Sequence, residues 1–255
     1  MPQWMAKLAG HEFDLRALAS LYNERTCRVA KDDDGAYYLT RDAFEAMGEA
    51  PAIYGAARKC IVLVNADIRL RKADYEPVSV EGLYRDNDDG SRSHYILLSG
   101  TLSANSRMYG ELTVLGPSGQ PVPSPEPARA QARLNLFERD ERVREALDYS
   151  QRCNPGDADC LSYAYKVSEI ILEDLGGGDA AKGAKVVASK GWSTDDEMQS
   201  FSESVHSREI SGRKARHAGT RRAKPGVTPM SEDEVIAYIK RVLREWLNWK
   251  AGHVE

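Results

Sequence analysis

Gly116-Pro-Ser-Gly-Gln-Pro-Val-Pro-Ser-Pro-Glu-Pro127 decides how this 255-residue chain is read. Five prolines and two glycines in twelve residues remove amide donors and cannot continue a helix or a central strand. Such a stretch tends toward extended polyproline and works as a semi-rigid spacer. It separates two sequences of different character. The expectation is therefore two domains: an α+β domain over residues 1–115, a linker over 116–127, and an all-α helical bundle over 128–255.

Upstream of the spacer the patterns are mixed. Phe13 to Tyr22 has apolar residues at helical spacing, with Asp14 a candidate N-cap ahead of Leu15, Leu18 and Leu21. Cys27 to Leu39 reads as two short strands around Asp32-Asp-Asp-Gly35. Between Pro51 and Leu70, Ile53, Ala57, Ile61, Val64 and Ile68 recur every three or four positions, the mark of an amphipathic helix. Three strands are expected next, over Val78–Arg85, His94–Leu102 and Met108–Leu115, forming an antiparallel meander with one face on the helix.

Downstream the chain reads as nearly all helix. Candidates cover Ala128 to Ser150, with a break near Glu138, and Asp157 to Leu175, where Leu161, Tyr165, Leu172 and Leu175 mark the expected buried stripe. Gly176-Gly-Gly178 stops that helix. Thr194-x-x-Glu197 and Ser231-x-x-Glu234 are capping boxes that start two more. On the last, Val235, Ile239, Val242, Trp246 and Trp249 form one stripe and Lys240, Arg241 and Arg244 are expected to point away. Short loops and these stripes suggest a four- or five-helix bundle.

Composition fits a globular protein with a core: 42 % apolar and 29 % charged residues. The longest apolar run, Cys60 to Val64, is far short of the roughly 20 residues that span a bilayer. Residues Met1 to Lys7 lack the basic start and apolar core of a secretory signal, so the expected location is the cytoplasm, with no membrane partner. The four cysteines contain no C-x-x-C pair and read as buried thiols, not as a zinc site.

The strongest functional signal is Arg208-Glu-Ile-Ser-Gly-Arg-Lys-Ala-Arg-His-Ala-Gly-Thr-Arg-Arg-Ala-Lys224. Seven Lys/Arg and one His stand there against a single Glu, in a chain of net charge −4. Concentrated positive charge in an acidic chain points to a local anion site, and phosphates of a nucleic acid or nucleotide are its natural guests. Arg208, Lys214, Arg221, Arg222 and Lys224 are the candidate phosphate ligands. His217 lies among cations that disfavour its protonation, which suits a general base, and Arg213 and Arg216 could stabilise charge developing on a phosphodiester. His206 and Glu203, on the helix just before the run, could face the same site. A solvated loop with no ligand is the competing reading.

Other motifs carry less. Asp32-Asp-Asp-Gly35 and Asp86-Asn-Asp-Asp-Gly90 lack the twelve-residue loop with a closing Glu of a calcium site and read as hairpin turns. Gly176 to Gly183 is not a phosphate-binding P-loop, because no strand precedes it and no G-K-[ST] closes it. Tyr84, Tyr95 and Tyr109 could stack on bases, although strand tyrosines are more often packing residues.

Ala215-Arg-His-Ala218, Pro229-Met-Ser231 and Trp246-Leu247 resemble the helical module of an uncharacterised bacterial family, over about 100 residues. Size and helix count are also similar to the HEPN superfamily of helical bundles. That resemblance implies a metal-independent ribonuclease of phage-defence systems. Its signature places a His after an Arg and four to six intervening residues; Arg213 is one residue too close to His217. The reading that follows is a nucleic-acid or nucleotide-binding protein, RNA being the preferred guest. A protein–protein adaptor acting through the N-terminal domain is the runner-up, and a ribonuclease using His217 the third. No cofactor or metal is expected, and a homodimer is allowed.

Overall fold

The computed structural model describes residues 3–72, 74–95, 126–207, 211 and 226–252. The chain divides into two compact units, Met1–Asn135 and Leu136–Glu255. The first is an antiparallel sheet with helices and the second is helical, which is the α+β-then-bundle order read from the sequence.

The first unit contains β1 (Gln3–Ala9), α1 (Glu12–Leu21), β2 (Asn23–Glu24), β3 (Cys27–Lys31), β4 (Tyr37–Thr40), α2 (Asp42–Met47), α3 (Ala50–Arg69), β5 (Ser79–Asp86) and β6 (Arg92–Tyr95). The six strands lie in the order β2-β3-β4-β1-β5-β6. β1 is central, with Ala6 opposite Leu39 of β4 and Leu83 of β5. The sheet is thus built around the chain's first strand, and β5 and β6 pair antiparallel as the expected meander requires. β1 turns Trp4, Ala6 and Leu8 into the core, and the apolar Met5 and Ala9 on its other face blur the period-2 signal. The β5–β6 hairpin turns at Gly90 and the β3–β4 hairpin at Gly35, both at φ 81°, where a side chain would be strained. The expected strand residues 96–115 lie outside the described residues.

Asp14 is not the cap of α1. His11 takes that place, accepting from the Phe13 amide at 3.4 Å, and Asp14 is fully buried inside the first turn. α3 matches its stripe: Ile53, Ala57, Ile61, Val64 and Ile68 all sit in the core against the sheet. One charge interrupts that face. Asp67 is fully buried and meets the equally buried Arg133 through two hydrogen bonds, Nε to Oδ1 at 2.9 Å and Nη2 to Oδ2 at 3.2 Å. The Tyr22 hydroxyl donates to Asp67 at 3.2 Å and Arg71 Nε at 3.2 Å.

Arg133 belongs to α4 (Glu126–Arg139), which crosses the division between the units. Its Ala130 and Leu134 join the core of the first unit. Glu126 and Pro127, expected to end the spacer, open this helix; a proline there lacks only a donor that has no helical partner in any case. Residues 116–125 lie outside the described residues.

The second unit continues with α5 (Glu141–Gln151), α6 (Cys160–Gly176), α7 (Ala180–Ser189), α8 (Asp195–His206) and α9 (Glu232–Ala251). The break near Glu138 is made by Asp140, whose carboxylate caps α5 at Val143 N. Both capping boxes are formed, Thr194 with Glu197 and Ser231 with Glu234. The stripe of α6 is rotated from the expected one. Leu161, Ala164, Val167 and Ile171 are buried, while Tyr165, Leu172 and Leu175 are half-buried. Arg241 of α9 does not point away: it pairs with Glu197 at 2.8 Å and bonds the Trp192 carbonyl. Lys250 ends α9 between Asp140 at 2.8 Å and Asp174 at 2.9 Å, and Asp174 also accepts from Trp246 Nε1.

α6 and α7 touch backbone to backbone at Gly183, where a Cβ would stand 1.8 Å from the Leu172 carbonyl oxygen. Helix propensity alone favours alanine over a mid-helix glycine by about 1 kcal/mol. Here the sign reverses. Gly183→Ala is expected to destabilise the second unit by about 1–3 kcal/mol, read as a lower urea midpoint at constant slope. In the first unit, Asp67→Ala and Arg133→Ala should each cost about 3–5 kcal/mol, because each strands a buried charge. Asp67→Leu combined with Arg133→Met should recover most of that loss.

The capping glutamates set an acid limit. Bonds from the Thr194 amide to Glu197, and from the Ser231 amide to Glu234, hold both carboxyls below the usual glutamate range. A depressed folded pKa contributes stability above the unfolded value near 4.3, and that stability is lost as pH falls through the folded value. Glu197→Gln with Glu234→Gln should therefore flatten the fall of thermal midpoint with pH below about 4.3.

Candidate functional site: a cavity at the root of the basic run

α8 forms where Thr194 caps three acidic first-turn residues, Asp195, Asp196 and Glu197, favourable neighbours of a helix N-terminus. Phe201 and Val205 bury its apolar face. The helix ends as Ser207 turns extended, at φ −83° and ψ 117°. One residue later the basic run begins.

Ser204, in the last turn of α8, is bonded by one residue within that run and one beyond it. The Ser211 hydroxyl donates to the Ser204 carbonyl, and the Met230 amide donates to Ser204 Oγ at 2.7 Å. Ser204 Oγ itself donates to the Ser200 carbonyl at 2.8 Å. Arg208, Arg213, Lys214, Arg216, His217, Arg221, Arg222 and Lys224 all lie outside the described residues.

His206 and Glu203 are buried in the second unit, at 7 % and 1 % exposure. The His206 ring meets the ring of Tyr165 edge-on, centroids 4.6 Å apart. The Tyr165 hydroxyl lies 3.5 Å from Glu169 Oε1.

Beside this pair opens a cavity of about 230 Å³. α6 contributes Tyr165, Ser168 and Leu172, and α7 contributes Ala184 and Val187. Met198, Phe201, Ser202 and His206 of α8 form the facing wall. The lining is mostly apolar with a few polar side chains, the usual make-up of a small-molecule pocket. The sequence did carry a signal for it. Tyr165, Ser168 and Leu172 fall on one helical stripe of α6, and the residues read there as core are cavity wall.

The remaining candidates separate. Tyr84 stacks on His94 with centroids 4.3 Å apart, whereas Tyr95 packs against the core and tilts over Trp4 at 5.0 Å. Adjacent residues of one strand face opposite sides, so Tyr84 and Tyr95 cannot form one stacking platform. Tyr109 lies outside the described residues. The two acidic turns are joined by Arg92, whose guanidinium pairs with Asp32 at 2.8 Å and Asp86 at 2.7 Å. Among the described residues no cluster of three or more His, Cys, Asp or Glu could hold a metal ion. No described helix is long and apolar enough to cross a membrane. All four cysteines are buried thiols. A hydrogen bond with Cys160, then burial, pushes the Cys153 thiol far up, so it is no nucleophile at neutral pH.

Comparisons with family models, with curated proteins and with solved structures each find no match to this chain.

Proposed function

We propose that this protein binds nucleic acid, RNA in the first place, through phosphate contacts to the basic run. The observation that carries the reading is seven Lys/Arg within residues 208–224 of a chain whose net charge is −4. Density of that kind offers a phosphate backbone several simultaneous ion pairs. A role in phage defence, which the HEPN resemblance implies, belongs to the same proposal.

Arg213→Glu, Arg216→Glu and Arg221→Glu together should abolish binding of an RNA oligomer in a filter or anisotropy assay. Wild-type affinity should fall steeply as salt rises, because each neutralised phosphate releases counterions. Binding that ignores salt, or survives the triple reversal, would exclude the phosphate reading and leave the adaptor reading in front.

A further inference from the structure

We propose that Cys27 and Cys60 are a dithiol that closes into a disulfide under peroxide, a redox-sensitive lock between β3 and α3 of the first unit. Their sulfurs stand 3.8 Å apart. That is contact distance, against about 2.05 Å in a disulfide bond. The two residues are 33 positions apart, so only the fold brings them together. Cys60 sits inside α3 on the buried face that carries Ala57 and Val64, and Cys27 is the first residue of β3.

Both thiols are buried, so an oxidant needs a way in. The sheet supplies one. Cys27 pairs with Glu24 of β2, a strand of two residues at one edge of the sheet. A strand end held by so short a partner opens locally at less cost than the unit unfolds. Such an opening exposes Cys27 while α3 keeps Cys60 in place.

In the open form the Cys27 thiolate attacks hydrogen peroxide, the O–O bond breaks, hydroxide leaves and a sulfenic acid remains. On reclosing, the Cys60 sulfur attacks the sulfenic sulfur. The S–S bond forms, the S–O bond breaks and the oxygen leaves as water. Two thiols and one peroxide thus give one disulfide and two waters. The product fits its surroundings, a core shared with Val29, Ile53 and Val64. A disulfide brings no charge into that core, whereas a sulfinic acid would.

A peptide map of the full chain tests the lock. Reduced protein is treated with hydrogen peroxide in buffer and, separately, in urea, and remaining thiols are alkylated before digestion. In buffer the peptides of Cys27 and Cys60 should appear joined, with circular dichroism unchanged. In urea, where all four cysteines are released, that link should fall to a minor share of a mixture. Dithiothreitol should restore both thiols. The linked chain should unfold several degrees above the reduced one, because the bond closes a loop of 33 positions. Cys27→Ser and Cys60→Ala should each lose the link and the rise; should one fail to fold, the other carries the test. Intact Cys27 and Cys60 thiols after treatment in buffer, or sulfinic acid without the link, would overturn the proposal. So would a link no more abundant in buffer than in urea, or one that leaves the thermal midpoint unmoved.

Discussion

Two fully buried charges hold the first unit to the beginning of α4. Asp67 interrupts the apolar face of α3, and Arg133 interrupts the face of α4 that carries Ala130 and Leu134. Each would be intolerable alone, since the desolvation of an unpaired buried ion costs several kcal/mol. Together, with Tyr22 and Arg71 completing the carboxylate, they fix which face of α4 meets α3 and at what height. Apolar contacts alone would tolerate a slide by one turn. A bidentate guanidinium–carboxylate bond would not. This pair explains why the compact unit runs to Asn135, although the prolines end at residue 127.

The same pair shows what a sequence conceals. Stripes at helical spacing found α1, α3, α6 and α9, and the two capping boxes marked the starts of α8 and α9 within a residue. Those signals are local, resting on residues three or four apart. Asp67 and Arg133 are 66 positions apart, and each read alone looks like a solvent-facing charge. β1 was hidden for a related reason. Its core face alternates through Trp4, Ala6 and Leu8, but the apolar Met5 and Ala9 of the other face interrupt the polar half of the pattern. His11 displaced Asp14 as a cap because Asp14 is drawn inside the unit, another preference decided by distant packing.

Half of the candidate site was legible. The charge run needs no structure to be noticed, and Tyr165 and Leu172 were singled out, though as core. Their spacing cannot tell a wall from a core, because both demand apolar side chains on one stripe. What separates them is the neighbour. Gly183 lets α7 touch the backbone of α6 at Leu172, and the cavity opens beside that contact, between Ala184 and Leu172. No local pattern encodes a gap left among four helices, Val242 of α9 closing it with α6, α7 and α8.

An acidic chain proposed to bind an anion needs its charges arranged, not merely present. The run carries a net charge of +6 and the other 238 residues −10, which together give the chain's −4. At physiological salt a charge is felt over about 8 Å, so a phosphate near the run senses mainly its cations. Elsewhere many acids are engaged internally: Asp32 and Asp86 on Arg92, Asp140 and Asp174 on Lys250, Glu197 on Arg241. Pairing of that kind lowers the opposing field where the units face water. In the sequence the run is the densest positive charge along the chain. Attraction built on such short range should be lost as salt rises.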